Sequence, residues 1–277
     1  MHAWVNGRLL DDPAMPALTV SDHGFTVGDG VFEAVKVVDG QPFALTRHLA
    51  RMARSTAGLG LPELPVDDVR SAVTAVLAAE HLPLGRLRIT YTGGVAPLGS
   101  GRGDQAPTLV VAADTLQAAA PTAAVVTVPW PRNERGALAG LKTTSYAENV
   151  VALSFAKERG AIEAVFANTR GELCECTGSN IFVVVDGAIL TPPLDSGCLA
   201  GITREVTIEW CREDGLEVRE ETLPLDVLRE ADEVFITSST KDVLAIHGVD
   251  DRMLEPGPVT ARAAAVFARL CGERLDP

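Results

Sequence analysis

A two-domain α+β fold with mixed sheets is the architecture this sequence predicts, and three observations carry it. The chain has 277 residues, more than the roughly 100–200 of an ordinary domain. Short runs rich in Val, Ile and Thr stand among segments of helical period, without the strict strand–helix alternation of a doubly wound sheet. Between the two halves Ala118–Thr122, small and interrupted by Pro121, reads as a linker. These place a small α/β domain at 1–117 and a larger, strand-rich domain at 123–277.

Taken in order, Ala3–Asn6 and Arg8–Leu10 form a strand pair about Gly7. Val31–Val38 is a β-branched strand closed by Asp39-Gly40, a hairpin signal, with Phe43–Leu45 as the returning strand. Thr46 then stands as an N-cap, and Arg47–Leu59 sets Leu49, Met52 and Thr56 on one side against Arg47, Arg51 and Arg54 on another. Val66–Glu80 repeats the helical pattern, and the strands Arg86–Thr92 and Thr108–Ala113 flank a Gly-rich loop, Gly93–Gly103. Beyond the linker, Ala124–Val128 is a strand and Thr144–Arg159 a helix burying Val150, Val151, Leu153 and Phe155. Four short strands follow: Glu163–Asn168, Glu172–Cys176, Asn180–Val185 and Ala188–Thr191. Gly201–Asp214 is a helix stopped by Gly215, Val218–Glu221, Glu233–Thr237 and Val243–His247 are strands, and Pro258–Arg274 is a closing helix.

Charge narrows the partners. With 37 acidic against 24 basic residues the formal net charge is −13, which repels a nucleic-acid backbone or an anionic membrane surface. Five cysteines, Cys174, Cys176, Cys198, Cys211 and Cys271, contain no C-x-x-C pair, so neither a metal site nor a disulfide framework is expected. The opening residues lack a basic, then apolar, leader, and the most apolar window, Ala118–Trp130, is too short to span a bilayer. A cytoplasmic protein acting on a small molecule is the expectation.

Only four lysines occur, so chemistry that needs an amine able to lose its proton has few candidates. Lys142 lies just before Thr143 and Thr144, the expected start of an apolar helix, where the helix's positive end would lower its pKa and suit it as a nucleophile. Most lysines so placed are surface cations, and position alone does not decide. In the strand Glu172–Cys176, alternation turns Cys174 and Cys176 to one face and Glu175 to the other, where a fixed carboxylate would suit a protonated pyridine nitrogen or simply face water. Gly201-Ile202-Thr203 opens a helix with free N–H groups, Thr237-Ser238-Ser239-Thr240 ends a strand with four hydroxyls, and Arg51 is a full charge able to grip phosphate. Each has a plainer reading as a cap, a polar turn or a solvated face.

Joint spacing changes those odds. From Glu175 the chain reads E-C-T-G-S-N-I-F, then, six residues on, Ile189-Leu190-Thr191, and, after seven more, Leu199-Ala200-Gly201-Ile202-Thr203-Arg204. This resembles the signature of the class IV, or fold-type IV, pyridoxal-phosphate aminotransferases. Gly28-Asp29-Gly30-Val31-Phe32-Glu33 and His48-Leu49-Ala50-Arg51 resemble two further family segments, and Lys142 falls about thirty residues before the glutamate, where the family keeps its cofactor lysine. The resemblance implies a two-domain enzyme like the D-amino acid aminotransferases, with pyridoxal 5'-phosphate (PLP) carried by Lys142 in the larger domain. It implies that Glu175 pairs with the pyridine nitrogen, that Arg51, Ile202, Thr203 and Ser239 hold the phosphate, and that Tyr146 touches the phenolic oxygen. It also implies a homodimer.

The family divides into branched-chain aminotransferases, D-amino acid aminotransferases and 4-amino-4-deoxychorismate lyases. The D-amino acid enzymes grip the substrate carboxylate with Arg-x-His, but here the loop reads Arg102-Gly103-Asp104, and Asp104 would repel a carboxylate. The Gly-rich loop and the compact Leu141–Asn149 segment resemble the bacterial lyases most, implying release of pyruvate and 4-aminobenzoate in folate biosynthesis. On that reading Arg102, Thr240 and Lys241 would meet the substrate. An aminotransferase, or a relative that keeps the fold without catalysis, is the alternative.

Overall fold

The computed structural model describes residues 1–277, which group into two units. The first comprises Met1–Ala118 with Leu141–Tyr146 and Leu275–Pro277; the second comprises Ala119–Gly140 and Ala147–Arg274. The segment carrying Lys142 therefore groups with the first unit, not with the residues 123–277 among which its sequence position puts it. Its backbone hydrogen bonds explain this, since Phe32 N–H donates to the Lys142 carbonyl and Thr144 N–H to the Gly30 carbonyl.

In the first unit the elements are β1 (His2–Val5), β2 (Arg8–Leu9), α1 (His23–Val27), β3 (Gly30–Val38), β4 (Gln41–Pro42), α2 (Leu45–Leu59), α3 (Val66–Ala79), β5 (Leu84–Thr92) and β6 (Thr108–Thr115). The strands make one antiparallel sheet in the order β2-β1-β6-β5-β3-β4. Asp39 and Gly40, both at positive φ, form the two-residue hairpin turn that right-handed strand twist favours. The returning strand is only Gln41–Pro42, because Ala44 adopts a left-handed conformation that launches α2 at Leu45. Thr46 is thus inside the first turn and is not the cap; its N–H and hydroxyl donate to Asp276 at 2.9 and 2.6 Å. Leu49 and Met52 of α2 and Val69, Val73 and Val76 of α3 bury the sheet face bearing Val31, Val35, Leu87, Ile89 and Val111.

The second unit contains β7 (Thr122–Thr127), α4 (Ala147–Lys157), β8 (Glu163–Ala167), β9 (Leu173–Cys176), β10 (Asn180–Val185), β11 (Ala188–Thr191), α5 (Ile202–Glu213), β12 (Val218–Glu220), α6 (Val227–Glu230), β13 (Glu233–Ser238), β14 (Asp242–Val249), β15 (Arg252–Met253) and α7 (Pro258–Glu273). Its nine-stranded sheet runs β12-β11-β10-β13-β14-β7-β8-β9, with β15 on β14. β9 and β10 stand five places apart in that order yet are joined by Thr177–Ser179 alone. Five strand spacings would be about 24 Å, whereas the connecting residues span about 14 Å at most. The sheet must therefore curl, bringing its β9 edge round toward β10.

Two helix expectations change here. The helix expected at Thr144–Arg159 begins only at Ala147, and Val150 and Val151 are 64% and 55% exposed instead of buried. The buried face is Ala152 and Ala156, small enough to pack closely against Phe166 of β8, with Asn149 beside them. Inside the sheet Phe182 of β10 and Phe235 of β13 stack with centroids 4.7 Å apart. Phe182→Ala should cost roughly 3–5 kcal/mol through the cavity it leaves, read as a lowered midpoint in urea unfolding with an unchanged m-value.

Candidate active site

In the first unit, the residues about Lys142 run beside β3 through a single antiparallel bridge, Thr143 to Val31. Lys142 N–H donates to Ser55 Oγ of α2 at 3.1 Å, and Leu141 packs so closely on Gly58 that an added Cβ there would lie 2.7 Å from it. The helix-end rationale for Lys142 is therefore corrected: α4 starts five residues later, and β3 and α2 fix the backbone. The Lys142 ammonium lies 4.5 Å from the centroid of the Phe32 ring. The same ring receives the Arg88 guanidinium at 3.9 Å and the edge of Tyr146 at 5.2 Å. Arg88 sits opposite Ala34 in the β3–β5 register, a same-face diagonal neighbour of Phe32. Nothing in the sequence singles out Arg88, because only strand pairing brings it to Phe32.

Arg51, expected on the polar side of its helix, is buried. Glu33 is the reason: its carboxylate accepts Arg51 Nε at 2.8 Å, Arg51 Nη2 at 2.6 Å and His48 Nδ1 at 2.7 Å. Burial drives the Glu33 pKa up, but the Arg51 charge and the bonds from Arg51 and His48 outweigh it and hold the carboxyl at about 2. Glu33 shares a strand face with Val31 and Val35, and a carboxylate on an apolar face signals a buried partner.

Arg102 ties its loop to the turn before β3 and to the end of α2. It donates to Asp29 at 2.7 and 2.6 Å and to the carbonyls of Gly60 and Leu59. Asp29 also accepts from His23 Nδ1 at 2.8 Å, while His23 Nε2 faces the Gly99 carbonyl at 3.0 Å. Two acceptors on one imidazole favour its cation, and the bond to Asp29, then that to Gly99, raise the His23 pKa.

In the second unit, Glu175 stands on β9 between buried Cys174 and Cys176, as alternation predicts. Glu175 Oε2 accepts Leu199 N–H at 2.9 Å, and Oε1 lies 3.5 Å from Arg132 Nε. Arg132 lies over the Phe166 ring and donates to Glu148 and Asn149. Asn180, paired with Thr237 in the β10–β13 register, donates to the Leu199 carbonyl at 2.8 Å. A Cβ on Gly201 would fall 1.9 Å from Asn180 Oδ1, so only glycine lets the chain enter α5 there. α5 opens at Ile202 and Thr203 with no side-chain cap on its first N–H groups, an arrangement suited to an anion.

At the end of β13 the hydroxyls of Thr237 and Ser238 are buried without a hydrogen-bond partner, and Ser239 and Thr240 continue into the β13–β14 turn. Orphaned donors beside an uncapped helix start fit a phosphate group, and the fixed Glu175 carboxylate fits a cationic ring nitrogen. Lys241 donates instead to Glu163 at 2.8 Å. Arg88, Arg132 and Glu163 carry no local signal in the sequence, because each acts through neighbours distant in the chain, whereas Asn180 stands within the E-C-T-G-S-N-I-F run.

The family model for class IV aminotransferases matches residues 30–249. The chain belongs to the class IV aminotransferases. Among its relatives, the D-alanine aminotransferase of Listeria innocua is 31% identical, covering 99% of this chain and 98% of its own. A bifunctional aminodeoxychorismate lyase / D-amino acid transaminase of Mycobacterium tuberculosis is 30% identical over 98% of this chain and 97% of its own. The structure of a hypothetical aminotransferase from Mycobacterium tuberculosis, solved with PLP bound, superposes with a TM-score of 0.88 at 26% identity, over 99% of this chain and 100% of that one. The protein is thus a PLP-dependent enzyme of fold type IV.

The depressed Glu33 pKa has a definite sign. Its stabilisation is complete above the unfolded value of 4.5 and lost as pH falls toward about 2, on the order of 3 kcal/mol by linkage. Glu33→Gln should be less stable at neutral pH and should lose less stability than the wild type between those pH values, as checked by urea unfolding across the range.

Proposed function

We propose that this enzyme transfers the amino group of a carboxylate-bearing amino acid to a 2-oxo acid. One observation supports the reading above others: the Lys142 amine and the Arg88 guanidinium lie against the same Phe32 ring. An amine that carries and releases the cofactor beside a cation is suited to an amino acid, whose carboxylate would seek that cation. The names of the relatives support transamination too, since D-alanine aminotransferases recur among them.

When bound, PLP supplies the electron sink that makes the carbon–hydrogen bond beside the amine acidic. The chain's own residues do the rest. Lys142 Nζ would carry the cofactor and then move the proton at the substrate carbon. Glu175, held by Leu199 N–H and beside Arg132, would keep the ring nitrogen protonated. Arg51, Ile202, Thr203 and Ser239 would bind phosphate, Arg51 oriented by Glu33. Tyr146, edge-on to Phe32, would flank the amine.

The lyase reading keeps one specific support, the bifunctional relative. Holoenzyme supplied with an amino acid alone separates the two: a transaminase converts its cofactor to the amine form and releases one equivalent of 2-oxo acid. A lyase does not, but frees pyruvate from 4-amino-4-deoxychorismate without an acceptor. Lys142→Ala should lose several orders of magnitude in rate. Arg88→Ala should raise KM for amino acids about ten- to a hundredfold, as expected for a charge-assisted bond, while amines without a carboxylate are unaffected; equal effects on both would remove Arg88 from the substrate.

We further propose a cytoplasmic homodimer. Free cysteines suit a reducing compartment. In the first unit Val20, Phe25 and Leu98 are 82%, 73% and 85% exposed, apolar surface that a second copy would cover. Phe25→Asp should shift the protein toward monomer in sedimentation velocity.

A further inference from the structure

Glu163 opens β8, is only 2% exposed, and carries no role in the site as described. Its Oε2 accepts the Gly178 N–H at 2.8 Å and the Thr177 hydroxyl, and its Oε1 accepts the Ser179 hydroxyl and the Lys241 ammonium, each at 2.8 Å. Four donors saturate a carboxylate. The donors come from two places only, the Thr177–Ser179 turn joining β9 to β10 and the turn joining β13 to β14.

These are the turns that matter to the cofactor site of this second unit. The first follows Glu175 directly and leads into Asn180, which braces Gly201 and the start of α5. The second contains Ser239 and continues from the orphaned hydroxyls of Thr237 and Ser238. A buried ion pair adds little net stability compared with apolar side chains of the same volume, so stability alone does not account for one here. What Glu163 and Lys241 supply is registry. The pair ties the turn after Glu175 to the turn bearing the phosphate hydroxyls, across the curl of the sheet.

We infer that Glu163, acting through Lys241 and the Thr177–Ser179 turn, is a positioning residue that sets the phosphate-binding turn of the cofactor site. The inference rests on the proposed assignment of Ser239 and the α5 start to the phosphate. Glu163 itself touches neither cofactor nor substrate, because its oxygens are taken up by the two turns.

The test compares binding of PLP and of pyridoxal, which lacks the phosphate, to cofactor-free protein by fluorescence titration. Glu163→Gln and Lys241→Met should each weaken PLP at least tenfold and leave pyridoxal within twofold. The double variant should be no worse than the weaker single one, and Lys241→Arg, which keeps the charge, should restore most of the affinity. Unchanged PLP affinity in folded variants overturns the inference while leaving the cofactor assignment intact. Equal loss of PLP and pyridoxal overturns it as well, since that reports general damage. Wild-type protein that binds PLP no better than pyridoxal would remove the phosphate site and the inference together. Should Glu163→Gln not fold, Lys241→Met, altering a side chain 23% exposed, decides between the same outcomes.

Discussion

Three residues between β9 and β10 constrain the second unit more than any other feature. Strands five places apart in a sheet cannot be joined by Thr177–Ser179 unless the sheet curls. Once it curls, Glu175 at the end of β9, Asn180 at the start of β10 and Thr237 at the end of β13 lie along a continuous path of bonded neighbours. Leu199 is gripped from both sides, its N–H by Glu175 and its carbonyl by Asn180. The start of α5 is thereby placed by hydrogen bonds to the strands that carry the other polar groups of the site.

In the first unit the comparable device is a single antiparallel bridge on β3. Lys142 owes its place to main-chain bonds with Gly30 and Phe32 and to Ser55 and Gly58 of α2, and contacts of this kind hold the main chain rather than the amine. Charge is managed in pairs. Arg51 with Glu33, and Arg102 with Asp29, each bind an acid through two nitrogens, so Arg51 is a buried strut and Arg102, itself exposed, a surface tie. The two differ in consequence: Glu33 orients a cation proposed to bind phosphate, whereas Arg102 fastens a Gly-rich loop, which weakens its case as a substrate ligand.

Legibility in the sequence followed the range of the interactions. The β3 and β5 strands, the helices at Val66–Ala79, Ile202–Glu213 and Pro258–Glu273, and the outward Glu175 were readable, because alternation, helical period and capping are properties of a few adjacent residues. The cap at Thr46 and the helix at Thr144 were not. Asp276 takes the Thr46 donors and β3 takes Thr144, and both partners are more than a hundred residues away. Val150 and Val151 likewise look like core residues by composition, but close packing on Phe166 admits only the alanine face of α4.

The order of residues was sufficient for the α+β class and the family, and for singling out Lys142 and Glu175 as candidates, since these rest on residue type and spacing along the chain. Where Lys142 is held, which acid holds Arg51, that Arg88 meets Phe32, and that one carboxylate at Glu163 joins two turns were decided only by the tertiary structure. The physical reason is that a hydrogen bond or ion pair is defined by distance in space, and strand pairing brings together residues whose separation in the chain carries no trace of it.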